Sequence, residues 1–181
     1  MKPCTLALFV GFLFASSVAS AQTSADSSSI SYGAFAFEIR TTVPGHPDVI
    51  FDAITGDVTG WWDHTFSEKP ARFYLEAKPG GGFWELFDDE GNGALHATVI
   101  YAHRPQLLRF EGPLGLSGYA VQMVVSYQLS RVSPDSTELM VSVRAAGEQA
   151  NTWAPIVKNV WHHFIIDRFK PYVEGGFQPL K

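Results

Sequence analysis

The stretch Asn151 to Glu174, NTWAPIVKNVWHHFIIDRFKPYVE, decides the fold. Its apolar residues Trp153, Ile156, Val157, Val160, Trp161 and Phe164, then Ile165, Phe169, Tyr172 and Val173, recur at intervals of three and four. That spacing gathers side chains on one side of an α-helix. The stretch therefore predicts one long amphipathic helix, with Asn151 or Thr152 as its cap and Gly175-Gly176 as its stop. Pro155 is assigned to the first turn, where a missing N–H is tolerated, and Pro171 is expected to loosen the last. So long an apolar stripe needs a partner surface.

The preceding sequence supplies strands. Phe35, Phe37 and Ile39 alternate with Ala36, Glu38 and Arg40, which predicts a first strand with one buried face. Pro44, Gly45 and Pro47 end it. Asp48–Ile54 then fits a short helix, and Trp61-Trp62 follows Gly60 in or after a second one. Six more strands are expected at about 72–77, 82–87, 94–101, 107–110, 120–129 and 137–145, separated by Gly, Pro, Asp and Ser turns. Short links and alternating patterns imply an antiparallel meander. The expected class is α+β: a curved sheet of about seven strands wrapped on the C-terminal helix, with two short helices after the first strand.

The N-terminus reads as an address. Lys2 precedes the apolar run Leu6–Ala15 (LALFVGFLFA), and Ala19-Ser20-Ala21 forms an A-x-A cleavage pattern. Residues 1–21 are thus expected to be a signal peptide, 22–33 a Ser-rich leader, 34–176 a single domain and 177–181 a tail. The apolar run falls short of the about 20 residues that span a bilayer, so the mature protein is expected to be exported, periplasmic or secreted, without stable membrane insertion. The only cysteine, Cys4, leaves with the signal, which removes thiol chemistry and disulfides from the mature domain.

Composition narrows the partner. Without Lys2 the remaining 12 basic and 18 acidic residues give a net charge of −6, which excludes a basic nucleic-acid binder. Of 181 residues 46% are hydrophobic and 17% charged, which excludes a disordered chain. With 5 Trp, 6 Tyr and 14 Phe, many rings must fill a core or line a ligand site.

The candidate chemistry lies in a hairpin. If the Asp88–Gly93 turn joins its strands symmetrically, Glu85 lies opposite His96, Phe83 opposite Thr98 and Phe87 opposite Ala94. An acid facing an imidazole could orient a ligand or transfer a proton; a solvent-facing cross-strand pair of small energetic weight is the competing reading. Trp61, Trp62 and Trp161 are candidate cavity walls, with core packing as the alternative. Tyr101 and Tyr127 could offer hydroxyls. Glu111–Ala120 (EGPLGLSGYA) is either a lid or a long hairpin loop.

Metal and nucleotide readings fail on spacing. His96 and His103, seven apart, fall on opposite faces of one strand. His162-His163 misses the i,i+4 spacing of a zinc helix and is read as solvent-facing. The Asp88–Gly93 stretch lacks the closing Glu of a calcium loop. Gly80-Gly81-Gly82 leads into a strand, whereas a phosphate loop leads into a helix. No metal and no cofactor is expected.

Taken together, VPGHPDVIFDAIT (43–55), the Trp61-Trp62 pair, KPGGGFWELF (78–87), HATVIYAHRPQLLRFEGPLG (96–115) and WHHFIIDRF (161–169) resemble the helix-grip superfamily. That superfamily includes START lipid-transfer domains, birch-pollen-allergen-like proteins and polyketide cyclases. Within it the chain is most similar to the heat-shock-protein-90 ATPase activator homologue-like (SRPBCC) branch, over about Phe35 to Val173. The resemblance implies an apolar cavity between sheet and helix that takes a lipid- or polyketide-like small molecule. It favours the Glu85 face as the cavity face. The ligand-binding set is then Trp61, Trp62, Phe83, Glu85, His96 and Trp161. The alternative is a small cyclase, dehydratase or hydrolase with Glu85 and His96 as acid/base pair.

Overall fold

The computed structural model describes residues 29–177. The signal expected over 1–21 lies outside the described residues, as do the leader up to residue 28 and the tail beyond Phe177. The first strand, β1, begins at Tyr32, two residues before the expected domain start, and runs to Pro44. It is followed by α1 (Pro47–Ile54), β2 (Gly56–Asp57), β3 (Arg72–Leu75), β4 (Gly82–Leu86) and β5 (Gly93–His103). Then come β6 (Leu107–Gly112), a 3-10 turn (Leu114–Leu116), β7 (Val121–Ser133) and β8 (Ser136–Glu148). All eight strands form one antiparallel sheet in the order β1-β8-β7-β6-β5-β4-β3-β2. From β2 to β8 each strand pairs with the next, as in the expected meander, and β1 closes on β8.

Two details differ from the expectation. The sheet has eight strands because Gly56–Asp57 adds a two-residue edge strand to β3. The second short helix is absent: Trp61 and Trp62 lie in a turn, and both of their backbone N–H groups donate to the Val58 carbonyl. Asp57 explains the difference, since its Oδ1 accepts from both the N–H and the hydroxyl of Thr59. Such a local side-chain bond closes a turn in place of a helix.

The C-terminal rod is continuous for 25 residues but not uniform. It starts as α2 (Ala150–His162), widens into a π-helical segment (His163–Phe169) and ends as α3 (Lys170–Glu174). The cap differs from the expectation: Gln149, in the left-handed region at φ 51°, precedes the helix, and no side chain caps it. Pro155 therefore sits in the second turn, beyond the position assigned to it. Gly176 (φ 90°) lies just past the end, as expected of a stop.

The π segment has a readable cause. Trp161, Ile165, Phe169 and Val173 are all buried and step by four each time. In a 3.6-residue helix each such step drifts by about 40°, so three steps would carry Val173 off the packed face. A wider turn cancels the drift. Pro171 adds to this by having no N–H to return to the preceding turn, and the Lys170 N–H reaches back five residues to Ile165.

The rod packs on β1 and β8. Its partners are the alternate residues on one sheet face, including Ile39 and Val43 of β1, Val141 and Val143 of β8, and Val125 and Tyr127 of β7, all buried. Among the described residues no helix is long and apolar enough to cross a membrane.

Candidate functional site

The β4–β5 hairpin sets the polar centre. Its turn is tighter than a symmetric join at Asp88–Gly93 would make it. Asp88 Oδ1 accepts from the N–H groups of Glu90 and Asn92, and the loop closes with the Phe87 N–H on the Asn92 carbonyl. The register therefore differs from the expected one: Glu85 pairs with Ala94 and Phe83 with Ala97, while Thr98 faces Gly82. The slip is two residues at Glu85, which keeps Glu85 and His96 on one face, and one residue at Phe83, which takes Thr98 off the face of Phe83. A bulge between the Phe83 and Trp84 positions leaves His96 as the extra residue of β5. Its ring turns to the buried side and reaches Glu85 diagonally, with Nε2 2.8 Å from Oε2.

Glu85 is fully buried and saturated with donors. Besides His96, the Phe66 N–H donates to Oε2 (3.0 Å) and the Ser67 N–H to Oε1 (2.7 Å). With Nε2 of His96 assigned as the protonated ring nitrogen, the Glu85 carboxylate accepts from three N–H groups. Nδ1 has no hydrogen-bond partner among the described residues. Glu85 thus does two things: it orients His96, and it pins the segment that connects β2 to β3.

In front of His96 lies a cavity of about 300 Å³. The C-terminal rod contributes Trp153, Val157, Val160, Trp161 and Phe164; the sheet contributes His96 and Met123. The β6–β7 loop adds Leu114 and Leu116, and the β2–β3 segment adds Trp62, His64 and Phe66. Phe66 is half exposed and stacks on the His96 ring at 5.1 Å. Trp153 Nε1 is buried and has no hydrogen-bond partner among the described residues.

Of the six residues proposed from sequence, Trp62, His96 and Trp161 line this cavity. The other three lie outside its wall. Glu85 is behind His96. Trp61 is core, its Nε1 donating to the Ala53 carbonyl and its ring edge-on to Phe169 at 5.1 Å. Phe83 stacks on Phe73 at 5.1 Å and meets Trp62 edge-on. Tyr101 is exposed, and Tyr127 is buried, which pushes its phenol far up. The Glu111–Ala120 loop reaches the cavity through Leu114, Gly115 and Leu116. Phe66 and Met123 were not singled out from sequence, and no periodic signal marks Phe66, which lies in irregular chain.

A second polar cluster sits at the rim. Asp63, His64 and His163 converge, with His64 Nδ1 2.9 Å from Asp63 Oδ1 and His163 Nε2 2.9 Å from Oδ2. Arg168 Nε lies 3.2 Å from Oδ2, and His163 Nδ1 is 3.5 Å from Asp167. Partial burial alone would push the Asp63 carboxyl up. The hydrogen bonds from His163 and His64 and the His163 and Arg168 charges outweigh it and hold the group below its ordinary range. His163 is thus not simply solvent-facing as expected, whereas His162 is exposed.

The architecture has counterparts among solved structures. An uncharacterised protein from Rhizobium leguminosarum superposes with a TM-score of 0.63 at 11% identity, covering 82% of this chain and 99% of that chain. A protein of unknown function from Staphylococcus aureus gives 0.60 at 12% identity, over 80% of this chain and 96% of that one. A Rhodobacter sphaeroides protein gives 0.58 at 18% identity, over 80% and 99%. At these identities the likeness is one of fold alone. No protein-family model matches the chain, and no curated protein matches it.

Proposed function

We propose that this is a binding protein of the helix-grip, START-like type that holds a compact hydrophobic small molecule between sheet and rod. The observation that carries this reading is the cavity of about 300 Å³, walled by rings and aliphatic chains, with one imidazole on its wall held by a buried carboxylate. Its volume lies at the lower end of the roughly 300–1,000 Å³ usual for ligand sites. The fitting ligand is therefore a one- or two-ring or short-chain molecule rather than a two-chain lipid. Each Å² of apolar ligand surface buried there contributes about 25 cal/mol before association costs. His96 Nδ1, an acceptor in the neutral ring, suits a ligand hydroxyl or other donor. The export signal expected over residues 1–21 would deliver this binder to the periplasm or medium.

The enzyme alternative narrows. Glu85 does not line the cavity, so both groups cannot act on one substrate; His96 is the base and Glu85 its positioning residue.

Native mass spectrometry of protein purified from its own host should show a co-purifying lipophile below about 500 Da. A panel of lipophiles should raise the melting temperature, and Val157→Trp, which fills the cavity, should abolish the shift. Empty protein whose melting no lipophile moves would overturn the reading.

A further inference from the structure

We infer that Asp63, His64 and His163 form a binding site for a zinc-type divalent cation at the rim of the cavity. This goes beyond the binding function and does not depend on it. One ligand atom from each residue lies within 4.8 Å of the other two. Asp63 Oδ1 is 2.9 Å from His64 Nδ1 and 3.1 Å from His163 Nε2. Ligands held at about 2.0–2.2 Å around a tetrahedral zinc stand roughly 3.3–3.5 Å apart, so two edges of the triangle are already close to that size. Those two edges widen by a few tenths of an ångström, and the third, between the two imidazoles, already lies within 4.8 Å.

The donor set selects the ion. Two imidazoles and one carboxylate suit zinc and its transition-metal neighbours, whereas calcium and magnesium take oxygen ligands. Three protein ligands leave a coordination position open for water or for a ligand group. The surroundings complete the pattern of a metal site. His163 turns its other nitrogen, Nδ1, toward the Asp167 carboxylate at 3.5 Å, an ion-pair approach that closes to the carboxylate–histidine hydrogen bond orienting a ligating ring once the metal sets the tautomer. Arg168 occupies Asp63 Oδ2 at 3.2 Å, which leaves Oδ1 as the ligating oxygen. The two imidazole nitrogens that now approach Asp63 must present lone pairs to the ion, so binding weakens as histidine protonates.

The test is calorimetric titration of chelator-treated full chain with zinc chloride. The expected result is one zinc per chain, with His64→Ala and His163→Ala each weakening binding by at least about 100-fold. Asp167→Asn, which removes only the positioning carboxylate, should weaken it about 10-fold. His162→Ala, on the exposed neighbour, should leave the affinity unchanged. Cobalt(II) should give visible bands of low-symmetry four-coordination in the wild type and lose them in both histidine variants. His64 and His163 are surface side chains, and a melting curve without metal verifies that each variant is folded. The inference is overturned if the wild type binds zinc no more tightly than the His64→Ala variant, or if one-to-one binding survives in both histidine variants. Because no lipophile is present, failure here leaves the cavity reading standing, and failure of that reading leaves this one.

Discussion

Glu85 Oε2 and His96 Nε2 lie 2.8 Å apart although the two residues are not opposite each other in the β4–β5 ladder. The contact exists because an even slip keeps both side chains on the buried face and a bulge swings the imidazole toward the carboxylate. The same carboxylate reaches across to Phe66 and Ser67, so one buried acid ties sheet, imidazole and the segment over the cavity into one unit.

Removing that acid strands three donors. Glu85→Ala is expected to cost about 3–5 kcal/mol, since it leaves two part-buried N–H groups and a buried imidazole without their acceptor. Glu85→Gln should cost less, about 1–3 kcal/mol, because an amide turns one NH2 toward a donor where an oxygen stood. Urea denaturation at neutral pH measures both. A loss below about 1 kcal/mol for the alanine variant would show that the carboxylate does not hold the segment.

Phe66 roofs His96 while remaining half exposed. Phe66→Ala should change stability by less than about 1 kcal/mol. It should also raise the dissociation rate of a bound lipophile about 10-fold, because access changes more than affinity-setting contacts do. Stopped-flow displacement of a fluorescent lipophile reads this directly.

Two tryptophans should respond unequally to the same change. Trp61→Phe loses the bond to the Ala53 carbonyl and leaves a void in the core, costing about 2–4 kcal/mol. Trp153→Phe removes a buried N–H that has no partner among the described residues, and that relief offsets the lost area, so stability should stay within about 1 kcal/mol of the wild type. Thermal melting of the pair decides it.

Asp63 makes a pH-dependent contribution. Its folded carboxyl titrates below the ordinary value of 3.8, despite the opposing effect of burial, because His163, His64 and Arg168 favour the charged form. Such a group stabilises the fold fully above its unfolded pKa and loses that contribution as the pH falls through the folded one. The melting temperature of the wild type should therefore fall more steeply than that of Asp63→Asn between about pH 4 and pH 2. Parallel curves would exclude a role for Asp63 in acid stability.

Most of the architecture was legible because it is written in short periods. The alternation in Phe35–Ile39 and the stripe from Trp153 to Val173 correspond to β1 and the C-terminal rod. The Gly-, Pro- and Asp-rich separators mark the strand ends to within a few residues. The missed second helix is a matter of one side chain, Asp57, bonding Thr59 before a helix could start. The hairpin register differs from the symmetric one by two residues at Glu85, because Asp88 closes the turn early, and by one at Phe83, because of the bulge. The Asp63–His64–His163 cluster has no local signature, since His163 is 100 residues from Asp63 and meets it only after the rod has packed. Spacing rules applied to His162-His163 alone could not see it.

The widened stretch His163–Phe169 also works as a vernier between the two halves of the rod. Upstream of it sit the cavity residues Val157 and Trp161; at its far end Phe169 meets Trp61, and the buried Val173 follows. Deleting one residue inside it would rewind the coil and rotate everything beyond by about 100°. Phe169 would then leave Trp61 and Val173 would turn toward water, while the upstream wall kept its place. Insertions and deletions should consequently be tolerated in the β-turns of this domain and lethal to folding in these seven positions.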